Sequence, residues 1–100
     1  MKLLQIDFPF AGPWSAEMEQ MLRPLAHDIA AEPGLLWKLW TENASEGRAG
    51  GIYAFAEESA RERYLAKHTA RLQGFGIGEI RAQRFDVNAA LSALTRGPGA

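Results

Sequence analysis

Apolar and polar positions alternate from the first residues of the chain. Leu4, Ile6, Phe8 and Phe10 fall on one parity and Leu3, Gln5, Asp7 and Pro9 on the other, the two-residue period of a strand. Ala11-Gly12-Pro13 ends that pattern. The period then lengthens: Met18, Met21, Leu22, Leu25, Ala26, Ile29 and Ala30 recur at helical spacing and make one apolar stripe. Ser15 is placed to cap this helix through its hydroxyl, and Glu17 suits the positive N-terminal end. Pro24 lies inside the stripe and predicts a bend over residues 20–23, because it lacks an N–H and its ring crowds the preceding turn. Glu32-Pro33-Gly34 stops the helix.

Leu35 to Thr41 is short, apolar and aromatic, so a strand is expected. The polar stretch Asn43 to Arg48 makes a loop, and Ile52 to Ala56 supplies the other strand of a hairpin. Glu57 and Glu58 open a second helix reaching about Leu72. Gly74, Gly76 and Gly78 lead into a last strand over residues 79–87, and Asn88 caps a short helix through Leu94. The order β-α-β-β-α-β is that of the ferredoxin-like split βαβ unit. It predicts an α+β fold with a four-stranded antiparallel sheet. One domain is expected over residues 1–96, followed by a flexible tail over 97–100.

The strands carry apolar residues on both faces. Leu35, Trp37 and Leu39 oppose Leu36 and Trp40; Ile52 and Ala54 oppose Tyr53 and Phe55; Ile80 and Ala82 oppose Phe85 and Val87. Two helices cover one face, so the other needs a second copy of the chain, and a homodimer is expected. By strand parity Trp37 and Trp40 face opposite ways; Trp37 is assigned to the helix-covered side and Trp40 to the sheet–sheet contact, with the reverse assignment as the alternative.

Composition narrows the function. The 100 residues are 47% apolar and 23% charged with a net charge of −1, which fits a globular chain. The basic residues are scattered, so there is no electrostatic footprint for nucleic acid or for an anionic membrane. The absence of Cys removes disulfides and thiolate chemistry. The apolar run at the start is too short for a signal peptide, and no stretch approaches the length of a membrane span. A cytoplasmic location is expected. No HExxH, CxxC or EF-hand spacing is present, so no metal site is expected. The run Gly74-Phe75-Gly76-Ile77-Gly78 does not match a dinucleotide fingerprint.

The second helix carries the candidate chemistry. At about 100° per residue, Tyr64, Leu65, His68, Leu72 and Ala60 share one face, and Arg61 and Arg71 fall on it too. Such a face either lines a polar cavity or satisfies its polar groups internally. His27 falls opposite the apolar stripe of its own helix and is expected at the surface.

Several segments carry a resemblance across nearly the whole chain. They are Gly12-Pro13, Glu32-Pro33-Gly34-Leu35-Leu36-Trp37-Lys38-Leu39-Trp40-Thr41-Glu42, Gly50-Gly51-Ile52-Tyr53, Lys67-His68-Thr69-Ala70-Arg71-Leu72 and Phe85-Asp86-Val87-Asn88. In order and spacing the chain resembles the YdhR-type mono-oxygenases. The resemblance implies a dimeric α+β barrel, similar to the cofactor-free antibiotic-biosynthesis mono-oxygenases that oxidise polyketide anthrones. The implied function is oxygenation of a small phenolic or anthrone-like aromatic by O₂ without a cofactor. On that reading His68 is the candidate base and Arg71 the partner of the developing oxyanion. Tyr53 and Tyr64 are possible donors, and Trp37 is the stacking wall. The alternative is a non-catalytic barrel that binds a small molecule in the same cavity; haem chemistry with His68 as axial ligand stands third.

Overall fold

The computed structural model describes residues 1–99. Along the chain it forms β1 (Lys2–Pro9), α1 (Ser15–Ala30), β2 (Leu35–Asn43), β3 (Arg48–Phe55), α2 (Glu58–Gly74), β4 (Arg81–Asp86) and α3 (Ala89–Leu94). The tail expected over 97–100 is described as far as Gly99; Ala100 lies outside the described residues. The strands form one antiparallel sheet in the order β2-β3-β1-β4. Each βαβ crossover therefore skips one strand, as in the expected ferredoxin-like fold.

The alternation in β1 decides which face is buried. Leu4, Ile6 and Phe8 point inward, opposite Tyr53, Gly51 and Ala49 of β3. Met18 and Ile29 of α1 and Ala60, Tyr64 and Leu72 of α2 close over them to complete the core. Burying one such large apolar side chain contributes about 1.5–3 kcal/mol. The outer face carries Leu3, Gln5 and Asp7 of β1 beside Phe85, Gln83 and Arg81 of β4.

A bulge in β2 reverses the parity read from the sequence. Leu35 pairs with Phe55, yet Trp37 pairs with Ala54, so two steps on β2 match one on β3. Leu36 is the extra residue and is 52% exposed. A one-residue insertion moves every later side chain to the opposite face. Lys38, Trp40 and Glu42 therefore align with the inward Tyr53, Gly51 and Ala49, whereas Trp37 and Leu39 align with the outward Ala54 and Ile52. The sequence assignment of Trp37 and Trp40 is thus inverted.

The cap of α1 also differs from expectation. Ser15 is the first helical residue, with Trp14 before it, and the side chain that meets its orphan amide comes from elsewhere. The Ser15 N–H donates to Glu42 Oε1 at 2.9 Å, and its hydroxyl donates to the same oxygen at 3.3 Å. A carboxylate on β2 thus satisfies and charge-matches the helix N-terminus. The helix itself is continuous through Pro24. Asn88 behaves as expected: its Oδ1 accepts from the Leu91 N–H at 3.1 Å.

Candidate functional site

A cavity of about 670 Å³ opens between the sheet, α1 and the C-terminal half of α2. Its walls are apolar: Phe8 from β1 and Phe10 just beyond its end, Met18, Leu22 and Leu25 from α1, and Leu72 and Ile77 at the far end. Trp40 adds an indole wall from β2. The stripe that makes α1 amphipathic is also what lines the cavity. Trp14 takes no part; it packs edge-on against Phe10, with ring centres 5.4 Å apart.

Polar groups gather in one corner, where Asp28, Lys38, Tyr53, His68 and Arg71 meet the cavity. Arg71 is the hub. Its Nη1 pairs with Asp28 of α1 at 2.7 Å, while Nε and Nη2 approach His68 Nδ1 at 3.2 and 3.0 Å. A guanidinium can only donate, so Nδ1 is the acceptor and the neutral imidazole carries its proton on Nε2. Burial first, then the Lys38 and Arg71 charges, pull the His68 pKa down to about 3.

The sequence placed Tyr53, His68 and Arg71 in the site, and the structure brings all three together there. It does not bring the other two. Trp37 lies on the outer face because of the bulge at Leu36, and Trp40 supplies the wall instead. Tyr64 is fully buried behind His68, its ring stacked on the imidazole at 5.0 Å and 19°. It is a platform that fixes the imidazole rather than a donor to the cavity. Its hydroxyl is enclosed with no hydrogen-bond partner among the described residues, and burial pushes its pKa up to about 12. Burial likewise raises the Tyr53 phenol far above its usual range, so it stays a neutral O–H. Arg61 is a structural residue: it is 5% exposed and donates toward the carbonyls of Leu3 and Phe85 at 3.5 and 3.4 Å.

Sequence reasoning missed Lys38. Its ammonium sits 3.3 Å from the centre of the Trp40 ring and 4.7 Å from that of Tyr53. Among the described residues no carboxylate lies within ion-pair distance of it. Burial first, then the Arg71 charge, lower its pKa to about 7. A usable signal was the Gly50-Gly51 pair in β3, because glycines within a strand mark close approach by another group. A Cβ on Gly51 would stand 2.6 Å from Lys38 Cε, so the missing side chain is what lets the lysine cross the strand.

Among the described residues no group of three His, Cys, Asp or Glu is placed to hold a metal ion, and no helix is long and apolar enough to cross a membrane.

A family model described as "Putative mono-oxygenase ydhR" matches residues 3–98. No curated protein matches the chain. Among solved structures, the chain is similar to a "putative antibiotic biosynthesis monooxygenase" from Deinococcus radiodurans, at 19% identity and TM-score 0.59, covering 88% of this chain and 93% of that one. It is also similar to a variant of SnoaB, a cofactor-independent oxygenase from Streptomyces nogalater, at 16% identity and TM-score 0.59, covering 87% and 93%. A protein of unknown function from Nitrosomonas europaea, NE2512, matches at 18% identity and TM-score 0.61, covering 87% and 88%. At these identities the likeness is one of fold.

Proposed function

Because the chain belongs to the ydhR mono-oxygenase family, we propose that its cavity oxygenates a small phenolic or anthrone-like aromatic with O₂ and no cofactor. The observation that carries this reading is the charge of the cavity's polar corner. Lys38 and Arg71 bring two cationic side chains to a mostly apolar space, against a single carboxylate among the described residues, that of Asp28. A low-dielectric site with excess positive charge stabilises an organic anion. The anion of such an aromatic can reduce O₂ by one electron; the neutral molecule is a much poorer reductant.

The reaction closes without a further reductant. A base removes one proton from the substrate's activated CH₂, and the carbanion passes an electron to O₂. The resulting radical and superoxide join through a new C–O bond, and the proton returns to the distal oxygen. Loss of the second C–H proton with cleavage of the O–O bond gives the carbonyl and one molecule of water. One oxygen atom enters the product and the other leaves as water. Arg71 and the His68 Nε2–H are assigned to the developing oxyanion. The role of base, expected for His68, would need the Nδ1 lone pair that Arg71 engages in this structure.

The outer sheet face supports a homodimer as the working unit. Leu39 and Phe85 are 57% and 47% exposed there, beside Trp37, Ile52 and Leu3. A patch of that kind is the usual mark of an interface.

Oxygen-electrode measurements with anthrones and dihydroxynaphthalenes, after metal chelation, test the reaction. Wild type is expected to consume one O₂ per carbonyl formed. Arg71→Ala is expected to lower kcat and kcat/KM together by about 10²–10³, the effect of removing one oxyanion donor. Uptake at the buffer rate across the panel, with aromatic ligands still quenching Trp40 fluorescence, would leave a binding protein in place of an enzyme.

A further inference from the structure

We propose that Lys38 is the group that receives the substrate's acidic proton and holds the resulting anion. This rests on the reading of the cavity as the substrate site, and it makes the preferred ligand an aromatic acid bound in its anionic form.

β2 is at the edge of the sheet, and lysines on such strands usually turn to solvent, where they blunt aggregation. Lys38 instead lies on the inner face, with its stem passing over Gly51 and its ammonium against Trp40 and Tyr53. Contact with two ring faces offsets part of the lost hydration. It does not replace a counter-ion, and among the described residues none is within ion-pair reach. Asp28, the one carboxylate lining the cavity among the described residues, is paired with Arg71. The ammonium thus faces a ligand-sized apolar space with its charge unanswered, and a ligand's own anion would answer it.

Proton balance follows directly. Neutral Lys38 accepts the proton of a phenol, enol or activated C–H, and the ammonium so formed stays beside the anion it created. The facing groups leave this role to the lysine. Arg71 is a permanent cation and Asp28 is its partner, the His68 Nδ1 lone pair is engaged by Arg71, and Tyr53 remains a neutral phenol.

Binding of a matched pair of probes, 2-naphthoate and the uncharged 2-naphthamide, tests the proposal by calorimetry without reference to turnover. At about pH 6, wild type is expected to bind the naphthoate about ten- to a hundredfold more tightly than the amide, as a charged hydrogen bond allows. Lys38→Met is expected to abolish that preference while leaving the amide affinity within about twofold. Gly51→Ala, which displaces the lysine stem and keeps its charge, should lose most of it as well. The naphthoate affinity of wild type should be level below about 7 and fall as pH rises beyond the Lys38 pKa. Equal affinity for both probes, a preference that survives Lys38→Met but vanishes in Arg71→Met, or no binding of naphthoate at millimolar concentration would each overturn the proposal. A charge preference dependent on Lys38 in a protein that consumes no O₂ would keep it and remove the oxygenase reading alone.

Discussion

Lys38 titrates near 7 in the folded chain, against an ordinary value of 10.5, because burial and then the Arg71 charge penalise its ammonium. Between those two values the unfolded chain binds more protons than the folded one, so this residue's contribution to stability rises with pH across that window. Below about 7 the full penalty of a buried ammonium is present. Lys38→Met is therefore expected to raise the Tm of the ligand-free protein at about pH 6, with the difference shrinking as pH approaches about 10. Thermal melts across that range check it, and equal Tm values at about pH 6 would show that the ammonium carries no burial penalty. A residue that weakens its own fold at neutral pH fits a functional role better than a structural one. Its placement was not legible from composition, since a lysine between two tryptophans in a strand looks like a solvent-facing position.

At the scale of elements, the sequence was readable wherever a period ran unbroken. The alternation of Leu4, Ile6 and Phe8 and the helical spacing from Met18 to Ile29 mark the inner surfaces of β1 and α1. The same reasoning placed His68 and Arg71 on the inward side of α2. It failed in β2, because parity counted from Leu35 cannot register an extra residue that disturbs pairing without disturbing composition. It also failed at Ser15, whose amide is met by Glu42, 27 residues away along the chain. Gly50 shows how tightly β1 and β3 are joined. A Cβ there would stand 1.9 Å from the Ile6 carbonyl oxygen and 2.8 Å from Asp7 Cα, both backbone atoms. Gly50→Ala is thus expected to destabilise the fold by about 1–3 kcal/mol or more. Gly78→Ala, with nothing within 4 Å of the added methyl, serves as the near-neutral control. Urea denaturation of the two variants gives the comparison, and equal midpoints would mean the strands separate at that point without strain.

For the whole molecule, the inversion of β2 moves the test of dimerisation from Trp40 to the residues that do face outward. Leu39→Asp would place a carboxylate on the outer face, within the proposed sheet–sheet contact, about 10 Å thick in face-to-face packings. It is expected to shift sedimentation from dimer to monomer while leaving the cavity walls in place. A monomeric wild type at micromolar concentration would remove the dimer. On the same outer face, Asp7 is held between Arg48 and Arg81, which fixes a charged cluster beside the apolar residues. Arg48 and Arg81 hold the Asp7 carboxyl below its ordinary value, although burial acts against them. The bulge at Leu36 makes β2 indifferent to one coding event. Leu36 is the residue with no partner on β3, so loss of its codon would join Leu35 to Trp37 with every later pair unchanged, Lys38 and Trp40 still inward and Trp37 and Leu39 still outward. The chamber would keep both its cation and its indole wall, and the strand could shed or regain that residue without exchanging its two surfaces.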